Sequence, residues 1–582
     1  MDVYSPSAPL PNIPDDLTIP QFIFDCQHES RPTRRADIPW FIEDETGRKI
    51  GEDELRNRTS GLALGLRSKF GIKEDDVVLI FSRNHVDYPV AIWAVHRLGG
   101  VISGANPDFA SNELVYQLEQ TKASIIIVHP DSLETALAAA KTVGFPSERV
   151  VVFDRSSGSR SGIVDRLTIG DLVKQGLTTH DSPFVEKRLK PGEAKTKLAF
   201  LSFSSGTTGK PKAVAIPHFA VIANVIQIAA HNNVNKDYCA FEDQRYRPGD
   251  VAIAVLPFYH IYGLVINLHF ILFSAMSLVV VPKFNFVEML NSIVRYHISH
   301  LLLVPPQVVL LCKHPAVKNY DLRKYVRLIM CGAAPLSHEL NQQLFELLPD
   351  AHIGQAYGMT ETCTATSMWP ITQKRGNSGS AGQLLPGTIA RVLKTDGTLA
   401  GYDEVGELLI KTPSVALGYA NNVQATKETF IDGWVRTGDE VKIDKNGELW
   451  ILDRLKEIMK VKGFQVAPAE LEGCILDHKD VSNACVVGIP DDYSGEVPLA
   501  FVVLTSDAAR SVKDDPSAAE KIKASIIKHV ADNKVSYKHL AGGVEFRTSI
   551  PISPSGKLLR RILRDEAKAL KAGKAIKAKA KL

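Results

Sequence analysis

Ser204-Ser205-Gly206-Thr207-Thr208-Gly209-Lys210-Pro211-Lys212 crowds hydroxyls, two glycines and two lysines into nine positions. Such a segment suits an anion. Glycine lets a backbone come close, and N–H, hydroxyl and ammonium groups can wrap phosphate oxygens. The spacing is not that of a Walker A loop: two residues separate the glycines, and Pro follows Lys210. Ser, Thr and Gly also build plain surface turns, so composition alone leaves a phosphate cradle and a solvated turn both standing.

Those residues need a scaffold. The preceding apolar run, Lys197–Phe203, reads as a buried strand. Short β-branched runs at Val77–Phe81, Ala123–Val128 and Arg149–Phe153 alternate with helical patterns such as Leu133–Thr142. That alternation predicts a parallel sheet covered by helices, resumed at Val251–Leu256 and Leu328–Met330. Loops at the carboxyl ends of such strands are where α/β sheets place ligands. From about Thr388 the character changes, and Gly406–Lys411, Trp434–Thr437 and Glu448–Leu452 read as short antiparallel strands. Past a charged junction, Asp453-Arg454-Leu455-Lys456-Glu457, a small α/β unit follows after Glu470. It has strands Ala484–Ile489, Leu499–Leu504 and Val544–Arg547 and a helix near Ala518–Ala531.

Composition excludes several classes. A chain of 582 residues is too long for one core, and a net charge of +3 gives no field suited to nucleic acid. Seven cysteines without a CxxC pair or zinc spacing point to a reducing compartment and no structural metal. Met1–Pro20 lacks the basic start and apolar core of a signal peptide. The apolar window Leu264–Val281 contains Asn267, His269, Ser274 and Ser277, and reads as a buried helix running into a strand rather than a transmembrane segment.

Further segments stand in a telling order. They are Pro257-Phe258-Tyr259-His260-Ile261-Tyr262-Gly263, Gly332-Ala333-Ala334-Pro335, Gly354-Gln355-Ala356-Tyr357-Gly358-Met359-Thr360-Glu361, Thr437-Gly438-Asp439, Asp453–Glu472 and Pro554-Ser555-Gly556-Lys557. Together with the opening loop they resemble the adenylate-forming superfamily of acyl-CoA ligases, adenylation domains and luciferases. The resemblance is greatest to 4-coumarate–CoA ligase-like enzymes and runs from about residue 50 to 565. It implies a large α/β N-terminal domain of two αβ-layered sheets plus a small β-barrel-like subdomain, and a small mobile α+β C-terminal domain. The implied boundaries are 1–452, a hinge at 453–456, and 457–582. It also implies a two-step reaction. ATP converts a small-molecule carboxylic acid to an acyl-adenylate with release of pyrophosphate, and the coenzyme A thiol then displaces AMP.

The same resemblance assigns roles to matching positions. Ser204, Ser205, Gly206, Thr207, Thr208, Gly209 and Lys212 would cradle the β- and γ-phosphates. Thr360 would contact the α-phosphate, and Glu361 would hold Mg²⁺. Gln355, Ala356 and Tyr357 would belong to the ATP and AMP site, with Tyr357 stacking on the adenine. Asp439 would accept from the ribose hydroxyls, with Arg454 beside it. His260, Tyr262, Ile266, Ala333, Gly358 and Met368 would line the acyl pocket. Lys283, Lys462 and Gly463 would border the CoA channel. The small domain would pivot at Asp453 and Lys456, bringing in Lys557 for adenylation and Lys460 for thioester formation.

Departures from the family pattern bear on the substrate. Ala213 stands where glycine is common at the loop's exit. Ala356 replaces a common glycine beside the acyl pocket, and Ile266 lies where coumarate-type enzymes often carry Ser. A narrower, more apolar pocket is expected, open to aryl, cinnamic-type or medium-chain acids. The rival reading is an adenylating enzyme that does not use CoA. Members taking α-amino acids generally carry Asp where Tyr259 stands. The terminal Ala580-Lys581-Leu582 is a conservative version of the Ser-Lys-Leu peroxisomal address, which implies an import receptor as partner. Without that address the expected location is cytoplasmic.

Overall fold

In this computed structural model the described residues are 1–582 apart from 7–8, 155–165, 179–184, 205–210, 337, 456, 463, 492–493, 553–557 and 580–582. The β-branched runs of the first third become the strands Val77–Phe81, Val101–Ala105, Ile125–Val128 and Val150–Val152. They pair in parallel, and Leu198–Ser204 joins them beside Val101–Ala105. The chain then turns back as Lys212–Pro217, antiparallel to Leu198–Ser204, with Ser204 opposite Lys212. Gly418–Tyr419 closes this sheet at its edge.

A second sheet has Leu328–Cys331, His300–Leu303, Val251–Ala254, Ser277–Val280 and Phe41–Glu43 in parallel. His352–Met359 extends it in parallel on one side and pairs antiparallel with Thr364–Met368 on the other. The antiparallel strands expected as a barrel-like subdomain are thereby hydrogen-bonded into the same path, which counts fifteen strands among the described residues. The two sheets share one core. Ile80, Ile102 and Phe200 from the first belong to the same buried cluster as Leu278, Leu302 and Leu328 from the second.

The helix His218–His231 and the apolar stretch after residue 261 fill that core. Tyr262–Phe270 is a π-helix, continued by Ile271–Phe273 and then the strand Ser277–Val280. Its polar side chains bond inside the protein. Asn267 Nδ2 donates to the Ile253 carbonyl at 3.0 Å, His269 Nε2 accepts from Trp93 Nε1 at 3.2 Å, and Ser274 Oγ donates to the Phe270 carbonyl at 2.9 Å. Among the described residues no helix is long and apolar enough to cross a membrane.

The small unit is a sheet of Phe464–Val466, Met459–Val461, Gly495–Leu504, Val481–Asp491 and Gly543–Arg547. Pro468–Leu476 and Ser517–Asn533 cover one face. On the other face Leu563 and Ala567, four residues apart on the helix Arg560–Lys579, pack against Cys485, Val487 and Phe501. That helix lies beyond Val544–Arg547, the last element expected from the sequence. Arg560 secures its start, donating to Glu472 at 2.5 Å and Glu457 at 2.7 Å.

Burial holds many imidazoles neutral. His96 is pushed down to about 3 and His231, His269, His300 and His352 to about 4, each chiefly by burial. Below about pH 6.5 the unfolded chain takes up protons that the folded chain refuses. Stability present above pH 6.5 is therefore lost as pH falls toward 4. Asp453 and Asp477, raised to about 6 by burial, and Asp44, also raised by burial, act in the opposite sense, but burial lowers His218 and His478 as well, so seven imidazoles stand against three carboxyls. The melting temperature is expected to drop steeply between pH 6.5 and 4.5, and a flat profile there would contradict this account.

Candidate active site

A cleft of about 1360 Å³ opens at the carboxyl ends of the strands of both sheets. Its first wall is the end of the Leu198–Ser204 hairpin. Ser204 Oγ donates to Glu361 Oε1 at 3.1 Å, and the Tyr419 hydroxyl donates to the same oxygen at 2.7 Å. The Lys212 ammonium lies 4.8 Å from the centre of the Tyr419 ring, a cation–π contact. Ser204, Lys212, Glu361, Thr360 and Tyr419 all line the cleft. Ser205, Gly206, Thr207, Thr208 and Gly209 lie outside the described residues.

Glu361 sits on a tight turn with unusual backbone. After Thr360–Thr362, Cys363 has φ 51° and Thr364 has φ 110°, a region that β-branched residues rarely enter. Three bonds pin it. Thr362 Oγ1 shares its one proton between the carbonyls of Met359 (3.2 Å) and Thr364 (3.1 Å), and Thr364 Oγ1 donates to the Ile261 carbonyl at 3.2 Å. Gly358 is required here, since a Cβ on it would stand 1.6 Å from the Thr364 oxygen. Gly358→Ala should displace the turn and cut turnover at this cleft by about 10²-fold, the usual effect of misplacing a reacting group by about 1 Å. Wild-type turnover by that variant would remove this turn from the site.

Tyr357 forms part of the next wall. Its hydroxyl donates to Asp439 Oδ2 at 2.6 Å, while Arg454 Nε stands 3.4 Å from Asp439 Oδ1. Asp439 and Arg454 face one another in an antiparallel pair. Burial first, and then the adjacent carboxylate, hold the Tyr357 phenol well above its usual range, so it remains a donor. Asp439 itself is buried behind this wall and is not among the residues that line the cleft. It orients Tyr357 and Arg454, which do line it together with Gly438.

His260, Tyr262, Ile266, Ala333, Ala356 and Gly358 line the cleft. Hydroxyls at this end are bonded internally. Tyr262 donates to the Met330 carbonyl at 3.2 Å, and Tyr259 donates to Asn106 Oδ1 at 3.2 Å. Lys283 is exposed at the cleft's edge.

Two expected contacts need correction. Met368 does not reach the cleft: it is fully buried in the shared core, where its sulfur accepts from Asn232 Nδ2 at 3.3 Å. Gln355 is likewise buried away from it. Its Oε1 accepts from the Leu336 amide at 2.8 Å and its Nε2 donates to the Ser380 carbonyl at 3.4 Å, so the side chain braces the Gly332–Leu336 loop.

The small unit meets the cleft on one side. Ile552 and Leu559, which bracket residues 553–557, line it, as does Leu455. Lys460 and Lys462 are exposed and not among the lining residues. Asp453 is buried, and its carboxylate accepts from the amides of Arg454 (2.7 Å) and Ala469 (3.4 Å). Lys456, Gly463 and Lys557 lie outside the described residues.

Sequence reasoning missed Tyr419 and Asn84. Asn84 Nδ2 donates to the carbonyls of Ala254 (3.0 Å) and Leu256 (2.9 Å), and its Oδ1 accepts from the Phe258 amide at 2.8 Å. It thus fixes the loop that presents Tyr259 and His260. Its place just beyond the strand Val77–Phe81 was the available signal.

The cleft thus brings Ser204, Lys212 and the buried Glu361 carboxylate together beside the small unit. The chain belongs to the AMP-binding enzyme family: the family model matches residues 28–420, and the model of the AMP-binding enzyme C-terminal domain matches 470–557. It is 35% identical to the acyl-CoA ligase AFT1-1 of Alternaria alternata, with 96% of each chain covered. It is 34% identical to 4-coumarate–CoA ligase 2 of Oryza sativa subsp. japonica, covering 97% of this chain and 94% of that one. Among solved structures, ATP-bound MatB from Rhodopseudomonas palustris superposes with a TM-score of 0.78 at 25% identity, covering 95% of this chain and 99% of that one.

Proposed function

We propose that the chain is an AMP-forming carboxylic acid–CoA ligase. The observation that carries this reading is the continuity of one cleft. It runs from Ser204, Lys212 and Glu361 to the apolar wall of Tyr262, Ile266 and Ala356, with Lys283 at its edge. Relatives named as acyl-CoA and 4-coumarate–CoA ligases support it.

In the first step a carboxylate oxygen attacks the α-phosphorus of ATP, and the bond to pyrophosphate breaks. The acid supplies its own nucleophile, so no general base is needed. The segment from Ser204 to Lys212 grips the leaving phosphates, Thr360 contacts the α-phosphate, and Tyr357 stacks on adenine. In the second step the CoA thiol attacks the acyl carbon and AMP leaves. Lys557 serves the first step and Lys460 the second, the small unit pivoting at Asp453 and Lys456. Lys283, Lys462 and Gly463 border the pantetheine arm.

Mg²⁺ fits the donor set. Glu361 offers a hard carboxylate facing the cleft, and Mg²⁺ is commonly held by one or two carboxylates plus substrate phosphates. No group of three His, Cys, Asp or Glu side chains forms a ligand set among the described residues, and such a site needs none. When bound, the ion neutralises phosphate charge.

The acid is aryl, cinnamic-type or medium-chain. With the Tyr259 and Tyr262 hydroxyls committed internally, a buried ring hydroxyl gains no partner from either, which costs binding. Purified protein with Mg-ATP, CoA and a panel of cinnamic, 4-hydroxycinnamic, benzoic, phenylacetic and C6–C12 acids should give thioesters by mass. Adenylate without thioester would favour an enzyme that does not use CoA. The tail Ala580-Lys581-Leu582 is read as a peroxisomal address, and unchanged localisation after its deletion in cells would refute that.

A further inference from the structure

One helix serves both the cleft and the small unit. On Pro305–Lys313, residues Pro306, Gln307 and Leu310 line the cleft. Three residues past Leu310, the Lys313 ammonium donates to the carbonyl oxygens of Leu476 at 2.5 Å and Val481 at 3.2 Å. Both carbonyls belong to the small unit. Leu476 ends the helix Pro468–Leu476, and Val481 opens the strand Val481–Asp491. The last carbonyls of a helix carry partial negative charge and lack partners within it, so an ammonium suits them.

The surroundings make this grip specific. The Leu476 side chain packs on the large domain's core of Leu311, Val317, Ile329 and Leu344. Burial holds the Lys313 ammonium below the usual lysine range, an unfavourable setting for a cation unless its hydrogen bonds are kept. While the grip holds, Ile552 and Leu559 stand against the cleft and Lys460 and Lys462 stand outside it.

We propose that Lys313 is a positioning residue for the adenylation half-reaction: its two bonds hold the small unit with Ile552 and Leu559 against the cleft. This rests on the reading of Lys557 as the adenylation lysine. The thioester step needs Lys460 at the cleft, so the two bonds must break before it. Lys313 therefore favours the first step at the expense of the second.

The test separates the half-reactions. Lys313→Met keeps the length of the stem and removes both bonds, while Lys313→Arg keeps donors for both carbonyls. For Lys313→Met, acid-dependent pyrophosphate release without CoA should fall about tenfold, the scale of losing charge-assisted hydrogen bonds. Discharge of supplied acyl-adenylate by CoA should be unchanged or faster, which also reports an intact fold. Lys313→Arg should restore the first half-reaction toward wild type. Equal losses in both half-reactions, or no loss in either, would overturn the inference while leaving the ligase reading standing. Wild-type protein with neither half-reaction on any acid would overturn the ligase reading and this inference with it.

Discussion

Lys557→Ala is expected to slow acyl-adenylate formation by at least about 10²-fold, the scale of losing one preorganised donor to developing charge. Thioester formation from supplied acyl-adenylate should stay largely intact. Lys460→Ala should show the reverse. Negative charge gathers on the α-phosphate and carboxylate in the first step, and a point charge held there lowers that barrier only. The thiol step breaks a different bond, and in the proposed scheme it follows a turn of the small unit. Lys460 is exposed and away from the cleft in this arrangement, so a loss confined to the second step requires that movement. The check is single-turnover pyrophosphate release set against CoA-dependent discharge. Near-normal pyrophosphate release by Lys557→Ala would remove that lysine from its role. Equal damage to both steps by Lys460→Ala would end the two-position scheme.

Glu361→Gln should lower adenylation by about 10²-fold or more and raise the Mg²⁺ concentration needed for half-maximal rate. The substitution nearly preserves shape. A carbonyl oxygen can still accept from Ser204 Oγ and the Tyr419 hydroxyl, the two bonds that hold the carboxylate now. What disappears is the negative charge, and with it the hard ligand proposed for Mg²⁺. The melting temperature should therefore change little, separating this variant from Gly358→Ala, where a backbone collision is built in. A rate loss with unchanged Mg²⁺ dependence would detach Glu361 from the metal.

The contrast between what sequence disclosed and what it hid has physical causes. Ser204 was legible because a buried strand and a change to small hydroxylated residues meet there. Tyr419 was not. It joins Lys212 and Glu361 only through the pairing of Gly418–Tyr419 with the distant strand Lys212–Pro217. Gln355 was misassigned with its motif. Successive strand residues face opposite sides, so placing Ala356 at the cleft turns Gln355 away. Tyr357 reaches the cleft beside Ala356 and Gly358, where the strand's register shifts between Tyr357 and Gly358. The Arg560–Lys579 helix had the propensity of its alanines and lysines in its favour. Among its described side chains the apolar anchor is Leu563 and Ala567, a pair easily lost among charges.

The central claim is that the acid passes through a bond to the α-phosphorus of ATP. Carboxylic acid labelled with ¹⁸O on both carboxyl oxygens tests it in one turnover cycle with Mg-ATP and CoA. The account predicts a thioester retaining one labelled oxygen, AMP carrying the other, and unlabelled pyrophosphate. Label in inorganic phosphate with ADP formed in place of AMP, or a thioester formed with unlabelled AMP, would contradict it.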